Sequence, residues 1–318
     1  MRDDEDRTEA YRQAIVAAAN GKVVVDIGTG ALALLALIAA EAGAAHVYAI
    51  EVQAEAAAAA RAAVAAAGHS NTVTVLEGFS TEVLLPERAQ LMVHELIGDV
   101  AGEEGAVAAI LDAKHRFMDP MAPLPFSVPA RTRSFLAPCE YPSEAYRQRF
   151  PAADALLRRP EGVRALKLPA LPADELLATS QPFEDIRFEV GAPQPQQRAE
   201  LRFELSRCGK LYGLAVHIEV HCDVNGGDTP ADVTSAANGS HWSSVLMVLS
   251  AEGVAVREGQ TVLVHTSAHL GGAQPRYTFE AWLQDGGVWS SLGSVIEYPE
   301  ASLSPNDVMD LQLDRFGA

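Results

Sequence analysis

The sequence predicts an α/β domain built on a parallel sheet, followed by a mainly β, barrel-like domain, and three observations carry that prediction. Short β-branched runs alternate with Ala-rich amphipathic stretches over residues 1–128, the pattern of strands joined by crossover helices. Near Asp119 the helical pattern stops among Pro120, Pro123, Pro125 and Pro129. Beyond them, apolar residues alternate along short segments separated by turns rich in Gly, Asn and Asp. The 318 residues suffice for two domains, since a domain runs to roughly 100–200 residues. We place them at 1–128 and 129–318.

Taken in order, Lys22–Asp26 is a buried-type strand that ends at the Gly28-Thr29-Gly30 turn, and Leu32–Ala42 follows as a helix closing at Gly43. His46–Glu51 is the second strand. An Ala-rich helix then runs to Ala67 and stops at Gly68, ahead of a third strand over Thr72–Leu76. Leu91–Val93 supplies a fourth strand, and residues 103–117 regain helical periodicity. This rhythm builds a parallel sheet. In the second domain strands fall over Ala199–Ser206, Leu214–Cys222, Val245–Leu249, Val262–Ser267 and Tyr277–Leu283. Residues 142–180 are the exception, with a helix over Glu144–Arg159 and a connector over Pro169–Pro172.

Composition narrows the function. A formal charge of −18, from 42 acidic against 24 basic residues, opposes nucleic-acid phosphates and favours cationic partners. The longest apolar run, Ala31–Ala40, is shorter than a bilayer span, and the acidic start Met1-Arg2-Asp3-Asp4-Glu5-Asp6 has no apolar signal core. A cytoplasmic protein with no membrane or nucleic-acid partner is the expectation. Cys139, Cys208 and Cys222 form no CxxC pair, and His217 with His221 lacks a third ligand, so neither disulfide framework nor metal is expected.

A strand ending in Asp26, then Gly28-Thr29-Gly30 and a helix, sets small residues where backbone approaches a ligand. Glu51 ends the next strand about twenty residues after Gly30, where a carboxylate can accept from both ribose hydroxyls. A nucleoside ligand follows. NAD and S-adenosylmethionine both suit this geometry. Ala33 stands at the third position of the dinucleotide fingerprint and is tolerated there, but no later hydride-transfer signature is present, so methyl transfer leads.

Several separated motifs then resemble the protein arginine methyltransferase family. Met1 to Thr8 with Tyr11 resembles its MLxDxxRTxxY helix, and Val24-Val25-Asp26-Ile27-Gly28-Thr29-Gly30 with Glu51 resembles its cofactor motifs. His94-Glu95-Leu96-Ile97-Gly98-Asp99-Val100-Ala101-Gly102-Glu103-Glu104 is similar to its double-glutamate loop. Glu95 and Glu104 lie nine apart as the family requires, and Glu103 is the fallback. Asn238-Gly239-Ser240-His241-Trp242 resembles its threonine-histidine-tryptophan loop, and Val128-Pro129-Ala130-Arg131-Thr132 its passage into the β-barrel. The sequence departs in three places. The glycine loop lacks a third Gly and carries an extra residue before Ala42-Gly43-Ala44; the YFxxY helix ahead of the first motif is not in the chain; and His94 replaces a serine.

The resemblance implies a Rossmann-like class I methyltransferase domain with a C-terminal β-barrel, S-adenosyl-L-methionine as cofactor and an arginine-containing protein or peptide as acceptor. It also implies a homodimer, although the helical dimerisation arm is not recognisable in residues 142–200. Two glutamates match the five-donor fork of a guanidinium in charge and shape. By resemblance Glu95 and Glu104 hold that acceptor, Arg7 pairs with the cofactor's carboxylate, Asp26 serves its amino end or orders the loop, and Glu51 serves its ribose. Glu82 stands near the adenine or on a plain surface. His241, partnered by Asp4, takes up the released proton. Trp242 walls the arginine channel or fills the seam between domains, and His94 adds an imidazole to the substrate pocket. A small-molecule N-methyltransferase on the same scaffold, or a catalytically silent relative, are the alternatives.

Overall fold

The structure is a computed structural model that describes residues 4–122, 126–157, 164–188, 193–222, 231–237, 240–272, 274–299 and 302–303. Met1 to Asp3, Pro123, Pro125, Arg159, Asn238 and Gly239 of the sequence patterns above lie outside the described residues. The first part of the chain runs α1 (Glu5–Ala18), β1 (Val23–Ile27), α2 (Leu34–Glu41), β2 (His46–Glu51), α3 (Ala54–Ala66), β3 (Val73–Glu77), β4 (Leu91–His94), α4 (Ala106–Arg116) and β5 (Ser127–Val128). All five strands are parallel, in the order β3-β2-β1-β4-β5. The β1 sequence Val-Val-Val-Asp-Ile is buried throughout, as a central parallel strand covered on both faces requires. Chain order reverses between β1 and β4, and the carboxyl ends there open into the crevice where such sheets bind ligands.

The second part holds β6 (Arg131–Cys139), α5 (Glu144–Arg149), α6 (Pro151–Leu157), β7 (Ala165–Leu168), β8 (Gln181–Arg187), β9 (Gln196–Glu204), β10 (Gly209–Leu211), β11 (Gly213–His221), β12 (Val233–Thr234), β13 (Ser244–Val248), β14 (Val254–Val256), β15 (Thr261–His269), β16 (Arg276–Asp285), β17 (Val288–Ser291), β18 (Ile296–Tyr298) and β19 (Ser302–Leu303). One sheet runs β7-β13-β11-β6-β8 and another β17-β16-β15-β9, both antiparallel along these neighbours. The helix expected over Glu144–Arg159 is two shorter helices. Phe150 sits before Pro151 at φ −125° and ψ 79°, outside the α region that a residue preceding proline avoids.

A contiguous set of buried apolar side chains extends from Tyr11, Val24 and Ile50 to Phe188, Phe279 and Tyr298. The two parts therefore share a core, and the crevice above β1 and β4 is roofed by the β part. No described helix is long and apolar enough to cross a membrane.

Candidate active site

The floor of the crevice is the turn after β1. Gly28 and Gly30 take φ of 76° and 66°, a left-handed conformation that glycine adopts without steric cost. The Gly28 and Thr29 amides both donate to the Ile50 carbonyl at 3.0 Å, which ties the turn to the end of β2. The Glu51 carboxylate there accepts from Gly30 N and Gln53 N, each at 2.9 Å, and is thereby aimed across the turn. Asp26, buried beneath, accepts from Thr29 Oγ1 at 2.6 Å through Oδ2, while Oδ1 is buried with no hydrogen-bond partner. Burial pushes its carboxyl up to about 7, partly offset by the Thr29 bond. An unpartnered oxygen of this kind suits a cationic donor. Ala33 opens α2 in the left-handed conformation at φ 46°.

The wall is the loop that leaves β4. Glu95 accepts from Arg7 Nη1 at 3.2 Å, and Arg7 Nε lies 3.3 Å from Asp4 Oδ2, so one buried guanidinium from α1 bridges two carboxylates. Burial raises the Glu95 pKa to about 7; Arg7 opposes the rise and the charge of Glu104 adds to it. Glu95 and Glu104 therefore feel each other's charge across the loop. Glu104 is exposed at the lip and is also raised, first by the protein around it and then by Glu103 and Asp99. Glu103 points away. It accepts from Lys167 Nζ at 3.0 Å, from the Asp99 amide at 2.8 Å and from the Tyr298 hydroxyl. With its oxygens engaged, Glu103 is a fixture of the loop, whereas the Glu104 side chain is exposed.

The roof is the segment Ser240–Ser243. Trp242 is 5% exposed, donates from Nε1 to the Ile97 carbonyl at 2.8 Å and carries the Arg7 guanidinium 4.1 Å above its ring. It therefore both fills the seam between the two parts and stacks on a site residue. The Ser243 amide donates to Asp99 Oδ1 at 2.6 Å. The pairing of Asp4 with the His241 imidazole is corrected: Asp4 Oδ2 accepts from the His241 backbone amide at 3.1 Å, and the side chain of His241 is exposed. Asp4 also caps α1 by accepting from Arg7 N at 3.1 Å.

His94 is corrected as well. It does not line the pocket; the ring is 0% exposed, packs edge-on against Phe188 at 4.7 Å and leaves both nitrogens without a partner. Burial lowers its pKa to about 3, so it is a neutral core residue. Glu82 is exposed in the turn after β3, beside the end of β2 through the Gly78 amide bond to the Glu51 carbonyl at 2.9 Å. Sequence reasoning missed Lys167, Ser134, Glu184, Tyr277 and Tyr298, which hold the Glu95–Gly105 loop from behind. The register between β6 and β8 shifts at Ser134/Phe135, so adjacent Phe183 and Glu184 are both buried and strand alternation gives no sign of Glu184.

No protein-family model and no curated protein matches the chain. Solved structures do. Arabidopsis thaliana protein arginine methyltransferase 10, in a uniquely open conformation, superposes with a TM-score of 0.74 at 21% identity, covering 94% of this chain and 95% of that one. The Trypanosoma brucei PRMT1 enzyme-prozyme heterotetramer with AdoHcy gives 0.74 at 19% identity over 94% and 96%, and PRMT6 gives 0.68 at 19% over 89% and 98%. The chain has the fold of the protein arginine methyltransferases, a class I methyltransferase sheet followed by a β-barrel-like part.

Proposed function

We propose that the protein transfers a methyl group from S-adenosylmethionine to a guanidinium nitrogen of arginine in a protein or peptide. Residues 1–128 hold the cofactor and residues 129–318 complete the acceptor site. The observation that carries this reading is the pair of carboxylates Glu95 and Glu104, coupled in charge on the loop that leaves β4, with Arg7 linking Glu95 to α1 and the cradle of Asp26, Gly30 and Glu51 at the end of β1 and β2.

The cradle fits the cofactor in charge and shape. The unpartnered Asp26 Oδ1 matches an ammonium, Glu51 matches vicinal hydroxyls, and a Cβ added at Gly30 would meet only open space, so backbone faces a roomy site. Arg7 has the charge to hold a carboxylate. When bound, S-adenosylmethionine supplies an electrophilic methyl on a sulfonium. Glu95 and Glu104, as carboxylates, pair with the acceptor guanidinium, draw its positive charge toward themselves and leave one nitrogen free to attack. That nitrogen gains the methyl and loses a proton, which the exposed His241 imidazole passes to solvent. Arg7 donates to one Glu95 oxygen. Turning Arg7 toward the cofactor's carboxylate frees Glu95 for the acceptor. The Trypanosoma brucei protein assembles as an enzyme-prozyme heterotetramer; a second copy of this chain is the partner we propose by analogy, and sedimentation of the purified protein tests it.

The experiment is transfer of labelled methyl to Arg-containing peptides, matched Lys-for-Arg peptides and free arginine, with Glu95→Gln alongside. Label in Arg peptides alone, abolished in the variant while cofactor still binds, is the expected result. Label only in free arginine moves the acceptor to a small molecule, and no label despite bound cofactor overturns the reading.

A further inference from the structure

Behind the Glu95–Gly105 loop lies a buried polar cluster outside the residues assigned above to cofactor or acceptor. Ala101 and Gly102 turn consecutive amides into the β part. Ala101 N donates to Ser134 Oγ at 2.9 Å, and Gly102 N donates to Glu184 Oε2 at 3.4 Å. The Ser134 hydroxyl in turn donates to that same Glu184 oxygen, and the Tyr277 hydroxyl donates to Oε1 at 2.8 Å. Glu184 is 1% exposed. A Cβ on Gly102 would lie 2.7 Å from Glu184 Oε1 and 2.9 Å from the Tyr277 oxygen, so the loop backbone is pressed directly onto the carboxyl.

The arrangement has a mechanical consequence. Glu95 starts the loop on the rigid end of β4, whereas Glu104 follows Gly102 by two residues and depends on where those amides are fixed. Glu103 is tied from the other side by Lys167 and Tyr298. The Ser134, Glu184 and Tyr277 cluster fixes the Ala101-Gly102 segment that leads into Glu104, while Trp242, Ser243 and Lys167 hold Ile97 and Asp99 ahead of it. We propose that Glu184 is a positioning residue for acceptor binding: through Ser134 and the Ala101 and Gly102 amides, it sets Glu104 opposite Glu95. The inference rests on the acceptor reading above. Burial pushes the Glu184 carboxyl up to about 7 against the pull of its three hydrogen bonds, with the Glu103 charge adding to the rise. It is held there by those donors and not by solvent. An amide in its place would turn N–H groups toward a site where the loop amides need an acceptor.

The test compares Glu184→Gln and Tyr277→Phe with the wild type in full-length protein. It reads acceptor KM and kcat on an Arg peptide, cofactor Kd by calorimetry, and amide hydrogen exchange across residues 97–105. Glu184→Gln should raise acceptor KM about ten-fold, the scale of one lost charge-assisted bond, and speed exchange at Ala101 and Gly102. Cofactor Kd should stay within about two-fold, because the cradle lies on the other side of the sheet switch. Tyr277→Phe should raise KM about three-fold by removing one donor of several. Unchanged acceptor KM in folded, cofactor-binding variants overturns the inference. So does a parallel loss of cofactor affinity, which marks general damage. If Glu184→Gln does not fold, Tyr277→Phe decides by the same criteria. A wild type that methylates no Arg peptide sinks the acceptor reading instead, and exchange at Ala101 and Gly102 still reports whether Glu184 holds the loop.

Discussion

Acidification from pH 8 to pH 6 should disarm the acceptor site, directly through Glu95 and, behind the loop, through Glu184, whose carboxyl is also raised to about 7. Glu95 must be ionised to hold a guanidinium, and burial has raised its pKa to about 7, with Arg7 holding it down and Glu104 pushing it up. The ionised fraction then falls from about nine-tenths at pH 8 to about one-tenth at pH 6. The efficiency kcat/KM for an Arg peptide, which reports groups of the free enzyme, should fall about ten-fold over that span and be level above pH 8. Asp26, raised to about 7 by burial, titrates in the cofactor cradle over the same range. Cofactor affinity is therefore measured at each pH and divided out. Replacing Arg7 with Met removes the partner that lowers the Glu95 pKa, so the bend should move upward. A profile flat between pH 6 and pH 8, or an Arg7→Met bend shifted to lower pH, would refute the electrostatic account of the loop.

Three other outcomes follow from positions described above. Glu51→Ala should weaken cofactor binding at least about ten-fold with little change in acceptor KM, because it loses the hydrogen bonds to ribose and the ties to the Gly30 and Gln53 amides, all within the cradle; calorimetry against S-adenosylhomocysteine checks it. His94→Leu should stabilise the fold by about 1–3 kcal/mol in urea denaturation, since two buried ring nitrogens without partners are removed. The unfolded chain takes up a proton on His94 below about pH 6.5 while the folded one, with a pKa near 3, does not. The advantage of the leucine variant therefore widens as pH falls from 7 to 5. Ala33→Gly relieves about 1 kcal/mol of left-handed strain at the start of α2 but removes a fully buried methyl and frees the unfolded chain, each worth nearly as much, so the melting temperature should fall slightly; a clear rise would show that the strain dominates.

Much of the fold is legible in the sequence because local chemistry and burial agree. The Val-Val-Val run of β1, the glycine turn after it and the Ala-rich helices each specify one element and one face. The elements that escaped are short or interrupted. β8 contains Pro182 and faces a bulge in β6, β10 and β14 have three residues each, and Pro151 splits the helix expected to run to Arg159. At the site, motif spacing marks Glu95, Glu104, Glu51 and Asp26, since each sits at a strand end or a fixed offset from one. What spacing does not encode is orientation. Nothing in Ser240-His241-Trp242 distinguishes a backbone amide on Asp4 from an imidazole on Asp4, and a polar residue after β4 reads as pocket-facing until Phe188 is seen against it. Lys167, Glu184 and Tyr277 are anonymous strand residues until the two parts of the chain are brought together.

The contacts that shape the acceptor loop join residues very far apart in the chain: 237 positions between Asp4 and His241, 145 between Ile97 and Trp242, and 195 between Glu103 and Tyr298. Contacts of such separation carry the largest loop-closure cost and form late in folding. The parallel sheet, by contrast, pairs strands that are near neighbours in sequence for β1, β2 and β3. Heat or denaturant should therefore strip the chain of methyl transfer while its cofactor cradle persists, so catalytic lifetime is set by the docking of two halves and not by the melting of either.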